Sequence, residues 1–192
     1  MAEDEALVRR AVSGEAAAFE EIVRMHQQAV YRVMLGLVGN HLDADDLTQE
    51  AFIRAHGALA GFRGESSLKT WLTRIAVNRA HDLLRRRRVL GLLGLGGLGR
   101  REVALQNEAA PVENGPEEEL LSRERARKVA AFAAEHLSER ERAVFTLRFA
   151  GGHSLEEIAA ICGANVSTVK THLYRALAKA RRLLAEEGEG AR

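Results

Sequence analysis

Between Val166 and Ala185 the chain carries Lys170, Arg175, Lys179, Arg181 and Arg182 and no acid. Ser167, Thr168 and Thr171 stand at the front of the same stretch. Hydroxyls can bond to base edges, and lysine or arginine can bond to guanine or to phosphate. This is the material of a helix that enters a DNA major groove. The segment before it, Ser154 to Cys162, reads as a shorter helix. Small Ala159 suits a helix crossing, and Gly163, four residues later, supplies the positive φ that a sharp turn needs. Helix, turn and helix make nucleic acid the first candidate partner.

A second basic stretch lies far from the first. Arg63 to Arg88 holds eight cations (Arg63, Lys69, Arg74, Arg79, Arg85, Arg86, Arg87, Arg88) against Glu65 and Asp82, a local balance of +6. The whole 192-residue chain carries only +1, because acids collect at Glu3, Asp4 and Glu5 and again at Glu113, Glu117, Glu118 and Glu119. A phosphate backbone responds to the local field, not to the total. Gly61 and Gly64 let backbone approach a ligand closely, Ser66 and Ser67 offer hydroxyls, and Arg63 and Lys69 can meet phosphates. Asn78, Asp82 and Arg85 fall on one helix face at i, i+4 and i+7. Taken alone they fit two descriptions: a base-reading face, or solvated residues with a local pair from Asp82 to Arg85 or Arg86. The run Arg85 to Arg88 suits a helix end, where cations complement the dipole. Continuous with a basic helix, it is read as phosphate contact, which adds affinity without sequence choice.

Asp43, Asp45, Asp46 and Glu50 form an acidic cluster beside His41, which raises a different class, a helical metal-dependent hydrolase. Against it, no Glu-x-x-His pair occurs and no second metal motif follows. Asp43 also has a simpler use as a helix N-cap. Neither metal nor cofactor is expected, and no catalytic residue is assigned. One cysteine excludes a disulfide framework and points to a reducing compartment. No apolar run is long enough to span a bilayer, and the acidic start is unlike a secretory signal, so a cytoplasmic protein is expected.

Nearly every periodic segment has the helical period, and composition is that of a globular chain, 46% apolar and 29% charged. Leu7, Val8 and Val12 mark a short helix; Phe19, Ile22, Val23, Val30, Val33, Met34 and Leu37 mark a long one that stops at Gly39-Asn40. A third, capped by Asp43, spans about Ala44 to His56. After a glycine-rich loop, Ser66 or Ser67 opens a fourth that ends in Arg85–Arg88. Trp71 is read as core beneath that loop. Leu90 to Pro116 is a linker by its glycines and prolines. A helix follows from Glu117 to His136, and then two capping boxes, Ser138–Glu141 and Ser154–Glu157, each open another. In the last helix Val166, Val169, Leu173 and Leu177 should face inward, leaving Ser167, Thr168, Lys170, Thr171 and Arg175 outward. His153 and His172 are expected in solvent, and Cys162 in packing. The fold class is all-α: two small helical domains, 1–89 and 117–192, joined by a flexible linker, 90–116.

Three blocks together resemble a known family, the extracytoplasmic-function group of bacterial sigma factors. Asp43-Ala-Asp-Asp-Leu-Thr-Gln-Glu-Ala-Phe-Ile-Arg54 is similar to the family's segment that docks on the polymerase clamp helices. Phe62 to Arg85 resembles its promoter-melting and −10-reading segment, although Leu68 stands where the family often has an aromatic. Leu137 to Leu184 resembles the domain that reads the −35 element. The resemblance implies a promoter-specificity subunit that binds core RNA polymerase, through the clamp helices of the largest subunit and the flap of the second. It implies −10 contacts from Arg63, Ser66, Ser67, Lys69, Asn78, Asp82, Arg85 and Arg86. It also implies −35 contacts from Ser167, Thr168, Lys170, Thr171 and Arg175, and polymerase docking by Asp46, Gln49, Glu50 and Arg54. An anti-sigma partner, soluble or in the membrane, is implied by the group and by no residue of this chain. A stand-alone helix-turn-helix regulator with an N-terminal sensor or dimerisation half is the other reading.

Overall fold

The computed structural model describes residues 2–93, 129 and 131–190, and the regular structure among them is helical. The N-terminal half consists of α1 (Ala2–Val12), α2 (Ala16–Val38), α3 (His41–Ala58), a 3₁₀ turn (Leu59–Gly61) and α4 (Leu68–Leu92). The C-terminal half contains helical residues 131–136, then α5 (Glu139–Phe149), α6 (Leu155–Cys162) and α7 (Val166–Gly190). Residues 94–116 of the expected linker, and 117–128 of the helix expected to follow it, lie outside the described residues.

Sequence chemistry explains most of the boundaries. α2 buries Ala18, Ile22, Val30, Val33, Met34 and Leu37 along one stripe. It ends where Gly39 turns left-handed (φ 77°) and its N–H reaches the Leu35 carbonyl. The next N-cap is Asn40, not Asp43. The Asn40 side chain accepts from the Asp43 N–H at 2.9 Å, so α3 starts three residues earlier than expected from an Asp43 cap. The Asp43 carboxylate accepts from the Asn40 side-chain amide and from Arg87, whose Nη2 lies 2.8 Å away. Ser67 caps α4 by accepting from the Thr70 N–H. α4 then continues past the arginine run to Leu92, because Arg87 ties its late turns to α3 and Arg88 ties them to Glu139. Both capping boxes form as expected, Ser138 with Glu141 and Ser154 with Glu157.

The halves do not stand apart. α2 packs on α1, α3, α4 and α5, while α4 packs on α6. One apolar core therefore runs from Ile22, Val33 and Leu37 through Leu72, Ala76 and Val77 to Val144, Leu147, Ile158 and Ile161. A smaller cluster of Ala133, Leu137, Phe145 and Ala176 closes the outer side of the C-terminal half. Two glycines permit the close approach. A Cβ on Gly36 would stand 2.5 Å from Thr146 Cγ2, and one on Gly151 would stand 3.0 Å from Val33 Cγ2.

The same seam corrects the expectation for His153, which is not solvated but only 1% exposed. Gly152, at φ 67°, turns the chain between α5 and α6, and the ring lies against Gly151 with neither nitrogen hydrogen-bonded. Burial pushes the His153 ring below its ordinary value, and Lys69 pushes it the same way while Glu157 opposes. Burial also lowers His26, with Lys69 acting in the same sense and Asp4 against it. An imidazole kept neutral in the fold takes up its proton first in the unfolded chain, so stability falls as pH drops through the ordinary histidine range near 6.5. Urea melts should therefore give a lower midpoint at acid than at neutral pH. His153→Asn should reduce that pH dependence, with the remainder belonging to His26. Identical dependence in variant and wild type would show that the ring takes up its proton equally in folded and unfolded chains.

Candidate nucleic-acid interface

α4 serves as core and as surface at once. Leu68, Leu72, Ala76, Val77 and Ala80 are buried, while Asn78, Arg85 and Arg86 are exposed. Asp82 sits in a clasp: Oδ2 accepts from Arg79 Nη1 and Oδ1 from Arg85 Nη2, both at 2.8 Å. Of the two descriptions open in the sequence, the local pair from Asp82 to Arg85 is present. Asn78 remains free of such a pair.

Arg79 is the residue that sequence reasoning passed over. Its side chain is 18% exposed, and besides Asp82 it holds Glu50 Oε1 of α3 at 2.8 Å. Glu50 also accepts from Arg54 at 3.1 Å. Burial acts to raise the Glu50 carboxyl, but hydrogen bonds and charge from Arg79 and Arg54 outweigh it and hold the group below the usual carboxylate range. The i, i+3 spacing of Arg79 and Asp82 was visible in the sequence; the link to Glu50 needed the helices to pack.

At the start of α4 the loop is held on Trp71, a partly buried ring that meets Phe62 edge-on with centroids 5.4 Å apart. Arg63 is exposed, and Ser66 and Lys69 are partly so. Ser67 is engaged: besides capping the helix, its Oγ lies 2.8 Å from Thr70 Oγ1 and 3.4 Å from Glu157 Oε1 of α6. Leu68 is fully buried and presents nothing to a base. The arginine run divides in the same way. Arg87, 29% exposed, pairs with Asp43; Arg88 pairs with Glu139 yet stays 63% exposed, and Arg85 and Arg86 also face outward.

On α3, Asp46, Gln49 and Arg54 are exposed, with Leu42 and Ile53 between them. These positions share one helix face, and Ile53 is 72% exposed. Ile53 is thus an exposed apolar side chain among polar neighbours. Helical periodicity does not single it out, because the sequence shows only another apolar residue. The acidic cluster is dispersed: Asp43 goes to Arg87, Glu50 to Arg79 and Arg54, and His41 Nδ1 lies 2.5 Å from the Tyr31 hydroxyl. Among the described residues no group of three or more His, Cys, Asp or Glu is placed to hold a metal ion.

In the C-terminal half Gly163 makes the turn at φ 61°, and the Asn165 side chain accepts from the Thr168 N–H at 2.7 Å to start α7. Val169 and Ala176 are buried, with Val166, Leu173 and Leu177 packed against the two cores. Ser167, Lys170, Thr171 and Arg175 face outward as expected. Tyr174, 69% exposed among them, is an addition to the expected set. Lys179 points back to Glu141 at 2.6 Å and is not part of that surface. Thr168 is only partly exposed. With His172 it lines a cleft of about 510 Å³ whose other wall is His81, Arg85 and Arg88 of α4. Cys162 borders the same cleft, where burial pushes its thiol up to about 11. Among the described residues no helix is long and apolar enough to cross a membrane.

Comparison with known proteins gives two family matches: residues 22–89 fit sigma-70 region 2, and residues 131–179 fit sigma-70 region 4. The chain is 36% identical over 184 residues to the ECF RNA polymerase sigma-E factor of Escherichia coli K12, covering 90% of each protein. It is 34% identical over 187 residues to the RNA polymerase sigma factor CnrH of Cupriavidus metallidurans, covering 97% of this chain and 96% of that protein. Among solved structures it is similar to CnrH in complex with the cytosolic domain of CnrY, with TM-score 0.64, 26% identity and coverage of 96% and 98%. It is also similar to RpoE in complex with the anti-sigma factor NepR from Bartonella quintana, with TM-score 0.65, 25% identity and coverage of 87% and 96%.

Arg79→Ala should release Glu50 toward ordinary behaviour. Carboxyl-carbon NMR is expected to show the Glu50 titration moving to higher pH in the variant. Stability contributed by the pair is present above the ordinary carboxylate range and is lost as pH falls through the native value. An unmoved Glu50 titration would mean that Arg54 alone sets it.

Proposed function

The chain belongs to the extracytoplasmic-function sigma factors of the sigma-70 family, and from that membership we propose how its surfaces divide the work. It is a sigma factor, binding core RNA polymerase and directing promoter-specific transcription initiation. The family acts in initiation and not as a catalyst; for this chain the proposal is that it makes and breaks no covalent bond.

In this reading the region-2 domain, 1–89, docks on the clamp helices of the largest polymerase subunit through the α3 face of Asp46, Gln49, Glu50 and Arg54, with Ile53 at its centre. Arg63, Ser66, Ser67, Lys69, Asn78, Asp82, Arg85 and Arg86 meet the −10 element. Unstacking a base costs a few kcal/mol, so the loop and the α4 face must bind opened DNA better than duplex. Residues 90–116 act as the linker. The region-4 domain, 117–192, lays α7 in the −35 major groove through Ser167, Thr168, Lys170, Thr171 and Arg175, and meets the flap of the second polymerase subunit. The observation that carries the reading is α7 itself: an outward row of hydroxyls and cations, set at an angle by the Gly163 turn and backed by a buried Val169. Each good bidentate base contact would discriminate by about 1–3 kcal/mol, so a few suffice for a short element. A cytoplasmic location is part of the proposal. An anti-sigma partner is part of it too, since the solved structures of similar chains hold CnrY and NepR.

Run-off transcription with sigma-free core polymerase across a genomic promoter pool tests the whole. A stand-alone regulator would yield no promoter-dependent transcript. Lys170→Ala and Arg175→Ala should each weaken a −35 duplex, with a flatter salt dependence where a phosphate contact is lost. Unchanged affinity across several salt concentrations would remove α7 from the groove. Asn78→Ala should reduce open-complex yield or alter −10 choice, and a variant with wild-type preference and yield would return Asn78 to ordinary solvent.

A further inference from the structure

The last turns of α4 carry apolar side chains into solvent. Val89, Leu90, Leu92 and Leu93 are all exposed, Leu92 by 82% and Leu93 by 66%. Leu83 is still packed on the core, and Arg87 and Arg88 still reach Asp43 and Glu139. Beyond them a Cβ on Gly91 would meet nothing within 4 Å. Single exposed leucines are ordinary on a protein surface, but four apolar residues in five positions form a patch. Their spacing ties them to the arginine run. Val89 and Leu90 follow Arg85 and Arg86 by four residues, and Leu92 and Leu93 follow them by seven. Each cation therefore shares a helix face with apolar residues one and two turns farther along. Arg85, Arg86 and Arg88 are exposed, and no acid occurs from Leu83 to Arg101.

We propose that the end of α4, from Arg85 to Leu93, is a docking surface for an anionic lipid bilayer. A seven-residue step along a helix rises about 10 Å. The leucines therefore stand about 10 Å beyond a collar of guanidinium groups, which matches the depth to which peripheral elements enter the headgroup–acyl boundary. Leucines at that boundary leave water, while the long arginine stems reach back to lipid phosphates. Entry stops there, because a helix end brings backbone carbonyls that hydrocarbon cannot satisfy. The charge selects the occupant. A cationic collar without acids favours a surface rich in phosphate, and of the two phosphate surfaces only a bilayer also takes up leucine; a DNA backbone offers it no apolar contact. Arg85 and Arg86 are also assigned to the −10 element, so bilayer and promoter compete for them. The inference itself needs only the exposed patch and its charge, and it stands if the sigma-factor reading falls.

Flotation of the full chain with lipid vesicles tests this. Mixed phosphatidylcholine–phosphatidylglycerol vesicles should carry the protein, and vesicles of phosphatidylcholine alone should carry several-fold less. Leu92→Ser with Leu93→Ser removes the apolar tip without changing charge. That variant should bind the mixed vesicles on the order of tenfold more weakly, with its urea midpoint where wild type has it. Arg85→Gln with Arg86→Gln should also weaken binding on the order of tenfold and flatten its salt dependence. Equal binding by the serine variant and wild type would reduce the attachment to charge on the basic helices and overturn the proposal. Wild-type binding that is absent, or no stronger on mixed than on neutral vesicles, would overturn it too. A wild type that binds neither vesicle but forms a dimer, lost in the serine variant, would give the patch to a second copy of the chain instead.

Discussion

A guanidinium drawn toward a protein interior must bring an acid with it, since an unpaired buried charge costs several kcal/mol. α4 makes this the governing constraint, because the helix that carries the basic run also supplies much of the core. Arginines on the border between its buried and exposed sides are paired: Arg79 with Asp82 and Glu50, and Arg87 with Asp43. Arg85, Arg86 and Arg88, farther out, face solvent, Arg85 meeting Asp82 and Arg88 meeting Glu139 at the surface. The acids of α3, which as a cluster suggested a metal, are in part the counter-charges of α4. That electrostatic requirement accounts for the pairing of α3 with α4.

The same pairing couples surfaces that have different partners. Glu50 lies on the face proposed for the polymerase and Asp82 on the face proposed for the −10 element, and Arg79 holds both carboxylates. Glycine plays the matching part between the halves. Gly36 and Gly151 remove the side chains that would keep α2 from α5 and from the turn after it, so a chain of two domains presents one core.

Local rules read from the sequence held where the cause is local. The capping boxes at Ser138 and Ser154, the positive-φ Gly163, the inward Val169 and the outward Ser167, Lys170, Thr171 and Arg175 all follow from short-range spacing, and the structure contains each of them. The misplaced N-cap, by contrast, has a tertiary cause, a contact 44 residues along the chain. Asn40 and Asp43 are both competent caps, and the choice went to the one whose rival had an arginine to meet.

Amino-acid order alone determined the all-helical class, the helix-turn-helix and the presence of two basic segments, because these depend on periodicity, capping and charge within a few residues. Tertiary structure decided what those charges and rings touch. His153 looked like a solvated histidine and is buried; Ser67, expected to open a helix or meet DNA, is also bonded to Glu157, ninety residues on. Arg79 looked like one cation among eight and proved to be a hub. Each of these outcomes depends on which distant helix comes to lie alongside, and that is settled by the shape of packed surfaces, which no short window of sequence contains.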